Sequence, residues 1–150
     1  MTIAIGADKK TKTTDMVVRE LKKQGHELLL FGDLKSPNND WVNIAKDVAL
    51  AVKNKKADEG ILFCWTGTGV AMVASKIPGI RAVAISNKKI AKQARAWDHG
   101  NIIALSCFMS PEKAIELVEI WLKTPYSKDA DDLYAQEQIK KIEQEFDKNP

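Results

Sequence analysis

Residues 60–72, GILFCWTGTGVAM, hold the densest chemistry in the chain. An apolar run ends at Cys64, passes through Thr66-Gly67-Thr68-Gly69, and turns apolar again. The pattern predicts a buried strand that delivers a thiol to a glycine loop opening into a helix. Backbone amides at a helix start attract negative charge. A thiol beside such amides can act as a base or a nucleophile, because positive potential favours the thiolate. One short segment thus offers a proton acceptor and an anion hole. The plainer account of Cys64 is packing, since free cysteine is commonly buried. Two glycines and two hydroxyls directly after the thiol point beyond packing. The loop is not a phosphate-binding Walker loop, because no Gly-Lys-Ser/Thr follows. It also lacks the G-x-G-x-x-G spacing of dinucleotide loops.

Other residues invite chemistry less directly. Asp8, in Gly6-Ala7-Asp8, is either a turn residue or a polar group at the site. Trp41 follows Asp40 after the turn-rich Ser36-Pro37-Asn38-Asn39. It is either a core anchor at a helix start or an aromatic platform for a sugar face. Trp65 sits inside the glycine loop and is placed to wall a pocket. Trp97 and His99 lie in Ala96-Trp97-Asp98-His99-Gly100-Asn101, which also reads as an ordinary loop. His26 and Cys107 read as structural residues.

The elements that must position these groups alternate. Thr2–Gly6, His26–Phe31, Glu59–Cys64, Ile80–Ile85 and Asn101–Leu105 are short apolar runs with little polar alternation, as expected of strands buried on both faces. Helical patterns occupy 14–24, 41–54, 70–76, 87–97 and 111–123. Thr13-Thr14-Asp15 and Ser110-Pro111-Glu112 have the composition of helix starts, and Gly25 that of a stop. This βα alternation predicts an α/β fold with a five-stranded parallel sheet and helices on both faces. Ligands bind such sheets at the carboxyl ends of the strands. Asp8 and Cys64 fall on that edge. The loop 97–101 precedes the fifth strand and falls on the opposite one, so it can serve a Cys64 site only across a subunit interface. Residues 129–148 are charged, with Leu133, Ile139, Ile142 and Phe146 at near-helical spacing. They predict a C-terminal helix that packs on a neighbour.

Composition sets outer bounds. A chain of 150 residues with 45% hydrophobic content suits a single domain, here a body over 1–126 and a helical extension over 127–150. The net charge of +3 is mild, and no basic block interleaved with aromatics suggests a nucleic-acid groove. The apolar start at Ile3–Ile5 is too short for a secretory leader. The longest candidate span, 69–86, is broken by Lys76, Pro78 and Arg81, so no membrane span is expected. Two distant cysteines make neither a disulfide framework nor a zinc site, which suits free thiols in a reducing cytoplasm.

Taken together, these residues resemble the family of ribose-5-phosphate isomerase type B and galactose-6-phosphate isomerase subunits. The resemblance runs from residue 2 to about 126. It rests on Ile5-Gly6-Ala7-Asp8, Asp40-Trp41 (where the family usually has Asp-Tyr), Gly60-Ile61-Leu62, and Cys64-x-Thr66-Gly67-x-Gly69. It continues through Ala74-x-Lys76, Gly79-Ile80-Arg81-Ala82 and Asn101. The resemblance implies a Rossmann-like three-layer α/β/α fold in a homodimer or tetramer with interface active sites. It also implies aldose–ketose isomerisation of a small-molecule sugar through an enediolate, without metal or cofactor. In that chemistry Cys64 would move the proton between C1 and C2, and Thr66 would assist transfer between the sugar oxygens. Amides around Gly67, Thr68 and Gly69 would hold the enediolate oxygen, Asp8 would bind hydroxyls, and Asn101 would sit near the partner's pocket. An enediolate needs preorganised donors, which the loop supplies.

The chain departs from the family at the substrate end. Asp8-Lys9 stands where the family has Asp-His. The family's ring-opening histidine falls on Trp97, with His99 two positions later. The phosphate-binding arginines are missing: Phe108 occupies the place of one, and Pro125-Tyr126 is followed by Ser127-Lys128-Asp129-Ala130-Asp131-Asp132. Guanidinium groups suit a phosphate dianion better than lysine does. The expectation is a sugar isomerase whose substrate is not ribose 5-phosphate itself. A sugar-binding or regulatory protein without turnover, and an enzyme using Cys64 as a nucleophile, are the competing readings.

Overall fold

A computed structural model describes residues 1–147. Five strands alternate with helices: β1 (Thr2–Ala7), α1 (Lys12–Lys23), β2 (Glu27–Gly32), α2 (Trp41–Lys53), β3 (Glu59–Cys64), α3 (Thr68–Ala74), β4 (Ala82–Ala84), α4 (Lys88–Ala96), β5 (Ile102–Ser106), α5 (Pro111–Lys123) and α6 (Ala130–Asp147). The strands form one parallel sheet in the order β2-β1-β3-β5-β4. Successive side chains of a strand point to opposite faces. Ile3, Ile5, Ala7, Ile61, Phe63, Ile103 and Leu105 therefore meet α1, α4 and α5 on one face. Ala4, Leu62, Cys64, Ile102 and Ala104 meet α2 and α3 on the other. The result is the three-layer α/β/α sandwich that the alternation of elements implies.

Glycine sets how closely α2 approaches the sheet. A Cβ on Gly6 would fall 2.8 Å from Ile44 Cγ2, so the bare backbone of β1 lets α2 sit directly over it. That fixes Trp41, the first residue of α2, against the carboxyl edge. The chain leaves β1 towards β2 on one side and returns to place β3 on the other. The loops after β1 and β3 consequently diverge, and the gap between them is the crevice where α/β sheets bind ligands.

Boundaries shift where local hydrogen bonding overrides the apolar pattern. The α1 helix starts earlier than its apolar pattern suggests, because Thr11 and Thr14 form a reciprocal capping box. The fourth strand keeps only Ala82–Ala84. Ile80 is taken into a turn, its amide donating to the Ile77 carbonyl at 3.0 Å. The α3 helix begins at Thr68 rather than Val70, directly after the left-handed Gly67. At α5, Ser110 caps and Pro111 opens the helix as expected. The expected C-terminal helix is α6, and residue 148 lies outside the described residues. Its Gln136 donates to the Trp97 carbonyl and its Glu143 accepts from the Gly79 amide, so it lies on its own chain through polar contacts.

Candidate active site

Cys64 is the last residue of β3 and is 6% exposed. The loop after it doubles back so that the Gly67 amide donates to Cys64 Sγ at 3.0 Å. Gly67 makes this possible in two ways. Its φ of +82° lies in the left-handed region, and a Cβ there would press within 3.1 Å of the Leu105 backbone. Only glycine meets both conditions at no cost. The two hydroxyls of the loop also converge. Thr66 Oγ1 and Thr68 Oγ1 lie 2.7 Å apart, and the Thr68 amide donates to Thr66 Oγ1 at 3.3 Å. Thiol, hydroxyl pair and opening turn of α3 thus share one mouth.

That mouth is a cleft of about 380 Å³ lined by Asp8, Trp41, Cys64, Trp65, Thr68 and Gly69 among others. Trp41 is exposed here and is not buried in the core. A Cβ on Gly69 would fall 3.0 Å from Trp41 Cζ3, so the ring flanks the glycine loop directly. On the other side stands Trp65, 64% exposed and edge-on to Phe108 with centroids 5.1 Å apart. Lys9 Nζ rides over both rings, at 5.8 and 5.4 Å. Asp8 Oδ1 is buried without a hydrogen-bond partner. Burial pushes the Asp8 carboxyl above its ordinary pKa, its own backbone amide pulls it down, and the charge on Asp33 pushes it up again.

The cleft continues past Asp8 and Trp65 into a wider space of about 620 Å³, walled by Lys9, Asp33, Asn38 and Asn39. Asp33 stitches two loops together. It accepts from the Lys10 amide at 2.7 Å and from the Asn38 amide at 3.3 Å, and these hold its carboxyl below the usual carboxylate range. Sequence reasoning passed over Asp33, although it follows β2 on the carboxyl edge just as Asp8 follows β1. Among the described residues, no group of three His, Cys, Asp or Glu side chains is placed to hold a metal ion.

Trp97, His99 and Asn101 are not brought to this cleft within the chain. They stand at the amino edge of the sheet, before β5. Trp97 closes α4 and is exposed. His99 stacks on Tyr126 with ring centroids 4.5 Å apart, and its Nε2 lies 2.9 Å from the Ser127 carbonyl. Asn101 accepts from the Arg81 amide at 2.8 Å and donates to the Gly79 carbonyl at 2.9 Å, pinning the turn before β4. The loop rests on a buried ion pair that the sequence did not announce. Arg95 forms a fork with both oxygens of Glu59, at 2.6 and 2.9 Å, and donates to the Gly100 carbonyl and Tyr126 hydroxyl. Burial raises the Glu59 carboxyl, and the Arg95 guanidinium pulls it back.

Comparisons with known proteins bear on the fold and the family. The family described as "Ribose/Galactose Isomerase" matches residues 3–142. The chain is 36% identical over 129 residues to a ribose-5-P isomerase B of Listeria innocua, covering 85% of this chain and 87% of that one. It is 32% identical to a D-erythrulose-4-phosphate isomerase of Pectobacterium atrosepticum, covering 84% and 85%. Its fold is similar to that of ribose-5-phosphate isomerase B from Clostridium thermocellum, with a TM-score of 0.89, 31% identity, and coverage of 97% and 99%. The family match over most of the chain, the identity to these relatives and the common fold lead to one conclusion: the chain is an isomerase belonging to the ribose/galactose isomerase family.

Proposed function

We propose that the protein interconverts an aldose and a ketose by moving a proton between C1 and C2, with Cys64 as the base. The observation that carries this reading is the Gly67 amide on Cys64 Sγ, with the Thr66–Thr68 hydroxyl pair beside it. Removing a proton beside a carbonyl makes an enediolate, and its oxygens need donors already in place. Thr66 and Thr68 can relay a proton between those oxygens, while the amides from Gly67 to Gly69 face the charge. Asp8 accepts sugar hydroxyls, and Trp41 packs against the apolar face of the sugar. Relatives named for ribose 5-phosphate and D-erythrulose 4-phosphate support a small sugar or sugar phosphate as substrate. Trp97 in place of the ring-opening histidine, and the lack of carboxyl-edge arginines, argue against ribose 5-phosphate itself.

The same reading makes the protein a homodimer or tetramer of a reducing cytoplasm, with Trp97, His99 and Asn101 reaching a partner's cleft. The surface of α6 supports it. Leu133, Ile139, Ile142 and Phe146 are exposed, while polar Gln136 and Glu143 face the helix's own chain. A single species sedimenting as a monomer at micromolar concentration would overturn the assembly. The two thiols are free and lie on opposite faces of the sheet. Turnover tests the chemistry: with a panel of C1-labelled aldoses, NMR should record ketose formation by the wild type. Cys64→Ala should lower kcat by about 10²–10⁴-fold, the usual worth of a positioned base. Equal turnover by the variant would remove Cys64 from the role.

A further inference from the structure

We propose that the wider space beyond Asp8 and Trp65 is a subsite for an uncharged, hydroxyl-bearing sugar end. The substrate is then a neutral sugar and not its terminal phosphate ester. This rests on the isomerase reading of Cys64. The two spaces share Asp8 and Trp65. A sugar with its carbonyl end at Cys64 and Thr66 therefore lays its far end between Lys9, Asp33, Asn38 and Asn39.

Charge decides what that end can be. Asp8 and Asp33 present two carboxylates, against which only the Lys9 ammonium stands among the lining residues. Lys10 is turned towards Asp15, at 3.8 Å. Within its own chain no arginine reaches this edge. Arg19 lies on the exposed side of α1, Arg81 precedes β4 at the amino edge, and Arg95 is buried against Glu59. A phosphate dianion would meet like charge here, an arrangement that interfaces use to reject wrong partners. It would also lack the guanidinium fork that suits it.

Hydroxyl groups fit the same walls well, since each can donate and accept. Asp8 Oδ1 is an acceptor buried without a donor, which a sugar hydroxyl would supply. Lys9 and the amides of Asn38 and Asn39 offer donors. Trp65, held edge-on by Phe108, gives a flat apolar face for the C–H side of the chain. Aromatic face, carboxylate and amide together recognise a neutral polyol.

The test pairs free aldoses of four to six carbons with their terminal phosphate esters, using the full chain at fixed ionic strength. Binding is read by tryptophan fluorescence and turnover by NMR. The free sugar should have a kcat/KM at least about tenfold above its ester, and Asp33→Asn should narrow that ratio about tenfold by removing one repelling charge. Trp65→Ala, at an exposed position, should raise KM for the free sugar more than it lowers kcat. Preference for the ester by the wild type, or no binding of any free sugar, would overturn the subsite. Turnover confined to esters would leave Cys64 chemistry standing while the subsite falls. Binding of free sugars without turnover would do the reverse.

Discussion

At the scale of single residues, the site depends on one backbone amide being aimed at one sulfur. Gly67 holds that amide 3.0 Å from Cys64 Sγ only because it accepts a φ of +82° beside the Leu105 backbone. Gly67→Ala adds a Cβ both strained by that φ and pressed on β5, so the loop must shift. The account predicts a kcat loss of roughly 10²–10³-fold, the scale of losing one oxyanion donor, with a lowered melting temperature. Steady-state kinetics and calorimetry check it; full activity would mean that the amide is not part of the machinery. This part of the site was legible in sequence because it is local. Thiol, hydroxyls and glycines all lie within six consecutive positions, 64–69. Asp33 was not, because its partners Lys10 and Asn38 come from two different loops.

At the scale of elements, helix caps place the cleft's walls. Asp40 caps α2 by accepting from the Asn43 amide at 3.1 Å and from its side-chain amide at 2.6 Å. It thereby fixes Trp41 next to the glycine loop. These bonds hold the Asp40 carboxyl below its ordinary value of 3.8. A carboxyl depressed by folding stabilises the fold fully above its unfolded pKa, and that support is lost as pH falls through the folded one. Asp33 shifts in the same direction. Tryptophan fluorescence of the wild type should therefore change on acidification, and Asp40→Ala should flatten the part of that acid limb that lies below about pH 4. An identical limb in the variant would show that Asp40 is not its source. The sequence carried most of the elements, since apolar runs and caps are local signals. It missed where β4 shrinks, because the turn at Ile77–Ile80 and the pin from Asn101 compete with strand pairing there.

At the scale of the whole molecule, the two edges of the sheet are held by different chemistry. The carboxyl edge is tied by loop carboxylates, whereas the amino edge is tied by the Glu59–Arg95 pair, whose members are 36 positions apart in sequence. Neither residue stands out alone: Glu59 reads as a strand start and Arg95 as one basic residue of an amphipathic helix. Arg95→Met would leave the Glu59 carboxylate buried without its partner, a change costing about 3–5 kcal/mol. The deficit should be larger at neutral than at mildly acidic pH, because burial already raises the Glu59 carboxyl and protonation removes the unpaired charge. Adding Glu59→Gln should recover part of the loss. Denaturant melts at two pH values measure this, and a loss independent of pH would point to packing alone. The exposed apolar residues of α6 belong to the same scale: their near-helical spacing was legible, but how the helix lies on the body depended on Gln136 and Glu143 finding partners there.

The most direct test of the central claim follows a single proton. The wild type, incubated in heavy water with a substrate aldose or ketose, should place solvent deuterium at C1 of the ketose or C2 of the aldose, read by NMR. Cys64→Ala should still bind the sugar and place none. Deuterium incorporation undiminished in Cys64→Ala would contradict the assignment of the thiol as base. Isomerisation by the wild type with no solvent deuterium, even at partial conversion, would contradict a solvent-exchanging enediolate route.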